Sequence, residues 1–93
     1  MDKQEILQNI SSFATLRNFK IEFNNNSVEF YRVEFKFFGF CTDVILICVV
    51  DYIEKNNTIV INFNDQTKSH EVTKIIEVVN SVGGIYDCNI KCL

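Results

Sequence analysis

The chain contains no proline and only three glycines among its 93 residues, so the most common rigid-turn residue is missing. Its turns must therefore rely on asparagine, aspartate and the few glycines, which accept the backbone angles of tight turns. Such residues occur between apolar runs at 24–26, 56–57, 64–65 and 83–84. These positions predict where the secondary-structure elements end.

Long apolar runs are also missing. The longest, residues 44–50, lies between Asp43 and Asp51, whereas a membrane-spanning helix needs about 20 predominantly apolar residues. The first residues, MDKQE, lack the basic start and apolar block of a signal peptide. We therefore expect a cytoplasmic protein with no membrane contact.

Clustered positive charge is absent as well. The nine Lys and Arg are scattered among twelve Asp and Glu, which gives a net charge of −3. Proteins that bind a phosphate backbone usually present a clustered basic face, so nucleic acid is an unfavourable partner. A mildly acidic surface can instead steer a protein toward a basic cleft on another protein.

The four cysteines lack the spacing of a metal site. Structural zinc sites usually take two ligands from a tight C-x2-C turn, whereas here the spacings are C-x6-C and C-x3-C. Residues four apart on a strand lie roughly 13 Å apart, too far to share one ion. The sequence predicts small apolar side chains in a reducing compartment, with no metal or cofactor. The four residues are Cys41, Cys48, Cys88 and Cys92.

The periodicity of the apolar residues predicts an α+β fold. A stripe at helical spacing predicts a helix from Asp2 to Leu16, with Asp2 as its N-cap. Alternation predicts strands at 19–23, 28–38 and 58–64. Residues 44–53 are apolar on both faces, which predicts a central strand covered on both sides. A second helix should then run to about Val82, with Asp65 or Thr67 as cap and Gly83 or Gly84 at its end. Residues 85–92 resume a strand pattern.

The order α-β-β-β-β-α-β fits a single domain spanning residues 1–93. Short connections favour an antiparallel meander of the first four strands. The last strand follows a helical crossover, so it should lie parallel to the fourth. The simplest layered arrangement packs two helices on one face of one sheet.

Aromatic residues are concentrated in one part of the chain, because eight of the nine phenylalanines lie between Phe13 and Phe40. In the strand at 28–38, Tyr31 and Phe35 should point to one face and Phe30 to the other, because alternate residues of a strand share a face. A bulge near residues 30–31 would reconcile the two sets of apolar residues. If the side of Phe35 covers the core, other rings are left for a partner, beside a charged rim. The predicted partner contacts are Phe30, Arg32, Glu34, Lys36, Phe38 and Phe40. The competing interpretation is that a helix layer or loop covers these rings.

No nucleophile–base pair, metal spacing or phosphate-binding loop stands out, so the sequence favours a non-enzymatic protein-binding module. By class-level analogy, small acidic α+β proteins of bacteria and phages include inhibitors and immunity factors that act on nucleases or defence complexes. One alternative is an enzyme or ligand-binding domain that uses Asp51, Asp65 or His70. A second is a single-stranded RNA-binding module with stacking aromatics, and a homodimer through an edge strand or aromatic patch competes with all of these.

Overall fold

The computed structural model describes residues 2–24, 26–36 and 41–93, and within these ranges all side chains except those of Lys36 and Cys41. The order α-β-β-β-β-α-β is confirmed. The elements are α1 (Lys3–Leu16), β1 (Lys20–Asn24), β2 (Ser27–Lys36), β3 (Cys41–Ile53), β4 (Thr58–Phe63), α2 (Ser69–Tyr86) and β5 (Asn89–Cys92).

The described strands form one sheet in the order β1-β2-β3-β4-β5. Neighbours from β1 to β4 are antiparallel, and β5 is parallel to β4 because α2 carries the chain back along the sheet. Both the meander and the parallel last strand are therefore as predicted. The helices share one face, with α1 over β1, β2 and β3 and α2 over β4 and β5.

Alternation along the central strands builds the core between sheet and helices. Val50 and Tyr52 of β3 and Ile59 and Ile61 of β4 are fully or almost fully buried, because alternate residues of a strand point to the same face. Each helix adds an apolar stripe at i, i+3 and i+4 spacing. The stripes comprise Ile6, Leu7, Ile10 and Ala14 from α1 and Ile75, Val78, Val79 and Val82 from α2.

The N-cap of α1 is as predicted, whereas that of α2 is not. Asp2 Oδ1 accepts a hydrogen bond of 3.0 Å from the backbone N–H of Gln4. In α2 the N-cap residue is Lys68 rather than Asp65 or Thr67. The hydroxyl of Thr67 is engaged elsewhere, since it donates to the carbonyl oxygens of Ile47 and Asn64.

The predicted end of α2 at Gly83 or Gly84 is also wrong. The helix continues to Tyr86, and Asp87 takes the left-handed conformation with φ of 55°. A Cβ atom on Gly83 would lie only 2.9 Å from Cδ1 of Ile90. Gly83 therefore allows α2 to approach β5 closely, and the last strand is shorter than residues 85–92.

A bulge between β2 and β3 lies where the sequence predicts it, but the extra residue is on the other strand. Phe30 pairs with Cys48 and Tyr31 with Leu46, which leaves Ile47 of β3 without a partner in the ladder. The carbonyl oxygen of Ile47 instead accepts a 2.9 Å hydrogen bond from the backbone N–H of Asn64. Consequently the side chains of β2 alternate regularly between the two faces of the sheet along the whole strand. In β3 the alternation is interrupted at Ile47, so even-numbered residues before the bulge share a face with odd-numbered residues after it.

Candidate functional site

The β2–β3 hairpin extends past its neighbours in the sheet. β1 pairs with β2 only as far as Tyr31, and β4 pairs with β3 only from Cys48 onward. β2 and β3 continue to pair with each other up to Lys36 and Cys41. Residues 32–36 and 41–45 thus form a two-stranded ribbon, here called the arm. Among the described residues no strand pairs with its outer edges, which leaves backbone groups there for a partner strand.

One side of the arm is apolar and exposed. Phe35 is 73% exposed, Val44 is 51% exposed and Val33 is 37% exposed. Val33 lies directly opposite Val44 in the ladder, and Phe35 follows two residues after Val33, so the three side chains share one side. They form a contiguous apolar patch on a projecting element.

The other side of the arm is charged and tied to α2. Arg32 donates to Glu34 Oε1 at 3.1 Å and to Glu71 Oε1 at 2.6 Å, and also contacts the carbonyl oxygen of Gln66 at 3.3 Å. The side chains of Arg32 and Glu71 are only 16% and 7% exposed. Glu71 also accepts a 2.9 Å hydrogen bond from the backbone N–H of Lys68. This network fixes the arm to the start of α2.

The expectation that Phe30 is exposed for a partner is wrong. Its side chain is fully buried and makes an edge-on contact with Phe19, with ring centroids 5.3 Å apart. Because β2 keeps its alternation, Phe30, Arg32 and Glu34 face the helices and Phe35 faces away. The expectation that the side of Phe35 covers the core is therefore wrong as well.

The remaining predicted contacts fall into two groups. Arg32 and Glu34 belong to the network with α2, so the structure brings these two together. Phe38, Phe40 and the side chain of Lys36 lie outside the described residues. Sequence reasoning missed Glu71, although a signal existed: this carboxylate lies four residues before Ile75 on the apolar stripe of α2, where a charge needs a buried partner.

The side of the sheet that faces away from the helices is here called the open face. Its apolar members in the main sheet are Tyr31, Leu46, Val49 and Val60, which are partly exposed and do not pack against the core cluster. Next to them, Glu22 of β1 lies directly opposite Glu29 of β2. Desolvation raises the pKa of the Tyr31 hydroxyl above its ordinary value, and the charges of Glu29 and Glu22 raise it further. A side-chain hydrogen bond with Glu29 raises this pKa in the same direction.

The residues of the alternative enzyme hypothesis are not gathered around a cavity. Asp51 pairs with Lys3 Nζ at 2.9 Å and accepts from its neighbour's backbone N–H. Asp65 is exposed in the turn after β4, and His70 is exposed in the first turn of α2. A cavity of about 210 Å³ between the helices and one of about 150 Å³ beside the bulge are lined by other residues.

The cysteines differ strongly in exposure. Cys48 is buried in the core, and burial raises the pKa of its thiol to about 12, with a smaller contribution from Cys92. Cys92 is exposed and Cys88 is half-buried, and all three are free thiols. The side chain of Cys41 lies outside the described residues. Within the described ranges, no three His, Cys, Asp or Glu side chains form a group that could hold a metal ion.

Comparisons with known proteins found no match to a protein-family model, to a curated protein or to a solved structure. Neither helix in the described part of the chain is both long enough and apolar enough to cross a membrane.

Proposed function

We propose that this chain is a non-enzymatic, cytoplasmic protein-binding module that contacts its partner through the arm. One observation carries the proposal: a two-stranded ribbon extends beyond β1 and β4 and presents Phe35, which is 73% exposed. An aromatic ring on a rigid strand is a typical interface anchor, because it buries a large area at little conformational cost.

The neighbours of Phe35 supply the rest of an interface. Val33 and Val44 widen the apolar patch, and the unpaired strand edges offer backbone hydrogen bonds to an added strand. Glu22 and Glu29 lie near the base of the arm on the same side of the sheet. Their charges favour a partner with a basic surface, as expected for an inhibitor or immunity factor that acts on a nuclease or defence complex.

The other contacts expected from the sequence are part of the proposal. In the sequence, Lys36, Phe38 and Phe40 follow Phe35 within five residues, so we keep them as sequence-based contacts. Arg32 and Glu34 contribute to the charged side, although their charges are already paired within the chain. An enzyme that uses Asp51, Asp65 or His70 has less support, because these side chains line neither cavity.

A binding experiment with a matched control tests the role of the arm. The full chain is used to capture proteins from the host lysate, and the captured protein is then purified and titrated against three variants. Phe35→Glu should weaken binding by at least about tenfold, because it places a charge in a desolvated contact. Leu16→Glu changes a similarly exposed apolar residue, 79% exposed at the end of α1, and should leave the affinity unchanged.

The third variant, with both Phe38→Ala and Phe40→Ala, tests these two sequence-based contacts and should also weaken binding. An affinity that tolerates Phe35→Glu, or that falls equally with Leu16→Glu, would contradict a contact through the arm. Circular dichroism of each variant confirms that the fold is intact before the affinities are compared.

A further inference from the structure

β1 is an edge strand of the sheet. It pairs with β2 on one side, and no described strand pairs with it on the other. Alternate residues of an edge strand leave their backbone N–H and C=O groups unpaired on the outer side. Such an edge can accept a further strand from another chain, so the side chains of β1 decide which strand fits.

The residues around β1 are arranged symmetrically about Ile21, apart from the sign of their charge. Phe19 and Phe23 lie two residues before and after Ile21, and charged residues adjoin it on both sides. These are Lys20 and Glu22, which are exposed on the side of the sheet away from the helices. Neither of them forms an ion pair within the described part of the chain. An antiparallel strand of the same sequence would therefore complement β1 in charge.

We infer that two copies of this chain pair through β1 as antiparallel strands, with Ile21 of one copy opposite Ile21 of the partner subunit. Lys20 then lies opposite Glu22 of the partner subunit, and this pair occurs twice in each dimer. On the helix side, Phe19 lies opposite Phe23 of the partner subunit. The two sheets join edge to edge into one continuous sheet, with a two-fold axis perpendicular to it.

The charges select this register among those that the symmetry allows. A two-fold axis perpendicular to the sheet sets residues of the same face opposite each other, so the pairing is centred on one residue. Centring on Lys20 or on Glu22 would set like charges against each other, which is destabilising. Centring on Phe23 would set Glu22 against Asn24, without an opposite charge. Centring on Ile21 forms two pairs of opposite charge.

A second copy at this edge also satisfies two features of the single chain. Glu22 lies directly opposite Glu29 of β2, and like charges in this position repel each other. Lys20 of the partner subunit would adjoin Glu22 from the other side and offset this repulsion. On the helix side, Phe23 is 37% exposed although Val28, directly opposite it in the ladder, is fully buried. The partner subunit would cover this exposed ring.

The helices leave room for the pairing. α1 packs over β1, β2 and β3, and the middle one of these strands is β2. In the joined sheet the two β2 strands would be three strand spacings apart, about 14 Å. Two packed helices need about 8–10 Å between their axes, so the two α1 helices would not collide. The arms would project from opposite ends of the joined sheet, so the pairing does not depend on the proposed role of the arm.

Sedimentation equilibrium of the full chain, from roughly 1 µM to roughly 1 mM protein, tests the pairing. Because each copy contributes one short strand, the dimer should be weak, and the mass should rise with concentration from 10.8 kDa toward twice that value. Lys20→Glu and Glu22→Lys should each weaken self-association by about tenfold, because each sets like charges opposite each other at two positions. The double variant K20E/E22K restores opposite charges and should associate to within about threefold of the native chain.

A mixture of the two single variants gives a sharper test. Lys20→Glu and Glu22→Lys chains in equal amounts should form a heterodimer to within about threefold of the native association, because both charge pairs are then of opposite sign. Lys91→Glu is the matched control, since it reverses an exposed charge on β5, the edge strand at the other side of the sheet. This variant should associate as the native chain does.

A mass of 10.8 kDa at every concentration would overturn the inference and would indicate that the charges of Lys20 and Glu22 keep this edge unpaired. A dimer that tolerates both single reversals, or that Lys91→Glu weakens equally, would overturn it as well. Circular dichroism of each variant establishes that the fold is intact. A monomer that still binds a partner through Phe35 refutes only the dimer, whereas a dimer that binds no other protein refutes only the proposed function.

Discussion

Phe30 and Phe35 lie on one strand five residues apart, yet one is fully buried and the other is 73% exposed. The difference comes from what covers each side of β2, since both helices lie on the side of Phe30. The comparison teaches that the aromatic-rich strand β2 has one side that stabilises the fold and an opposite side that is exposed for contact. Stability should depend on the covered side, and binding on the uncovered side.

Alanine substitution at these two positions should give the largest contrast. Phe30→Ala should lower the free energy of unfolding by about 3–5 kcal/mol, because it leaves a cavity in the core. Phe35→Ala should change it by no more than about 0.5 kcal/mol, since the ring makes few contacts within the chain. Urea denaturation monitored by circular dichroism measures both values. Similar losses for the two variants would break the distinction between the sides.

A second contrast concerns ion pairs on the covered side and at the surface. Arg32→Met should lower the free energy of unfolding by about 3 kcal/mol, because it leaves the buried carboxylate of Glu71 without its partner. Lys3→Met removes the more exposed pair with Asp51 and should cost at most about 1 kcal/mol.

The double variant R32M/E71Q sharpens this test, because it removes the buried negative charge together with its partner. Its cost in urea denaturation should be clearly smaller than that expected from the two single variants added together. Equal costs for Arg32→Met and Lys3→Met would argue against any special role of the network beneath the arm.

The smallest effects are expected at the adjacent glycines of α2. Gly84→Ala should raise the free energy of unfolding by about 0.5–1 kcal/mol, because alanine favours the helix and its Cβ would have no neighbour within 4 Å. Gly83→Ala should raise the free energy of unfolding by less, because the side chain of Ile90 must move to make room for the new Cβ atom. Thermal unfolding of both variants measures the difference, and a larger gain at Gly83 would contradict close packing of α2 against β5.

The order of elements could be predicted from the sequence because each element has a clear periodicity. The end of α2 could not, because Gly83 has two uses, helix termination and close packing, and the choice between them depends on the position of Ile90. The prediction of the N-cap of α2 was wrong for a similar reason. The hydroxyl of Thr67 donates to the carbonyl oxygen of Ile47, which is 20 residues away in the chain.

The candidate site was less predictable than the fold. Residues 31–36 alternate between apolar or aromatic side chains and charged ones, with the charges at 32, 34 and 36. Alternation therefore indicates that the side of Phe35 is covered, whereas the structure covers the charged side, where Arg32 pairs with Glu71. The position of the bulge was predicted, but the strand that carries the extra residue was not. That strand is β3 because Phe30 pairs with Cys48 and Tyr31 with Leu46, and no local pattern in β2 reveals these pairings. Glu71 was missed because its partner, Arg32, is 39 residues away.

The single unpaired residue at position 47 also determines which amino acids the outer half of β3 displays. A one-residue change of register moves every side chain of a strand to its opposite side. Ile47 is the extra residue: strict alternation back from Val49 would instead place Ile47, Ile45 and Asp43 on the surface away from the helices. This one insertion thus lets two stretches of opposite alternation serve a single surface, with Leu46 and Val44 on the same side as Val49.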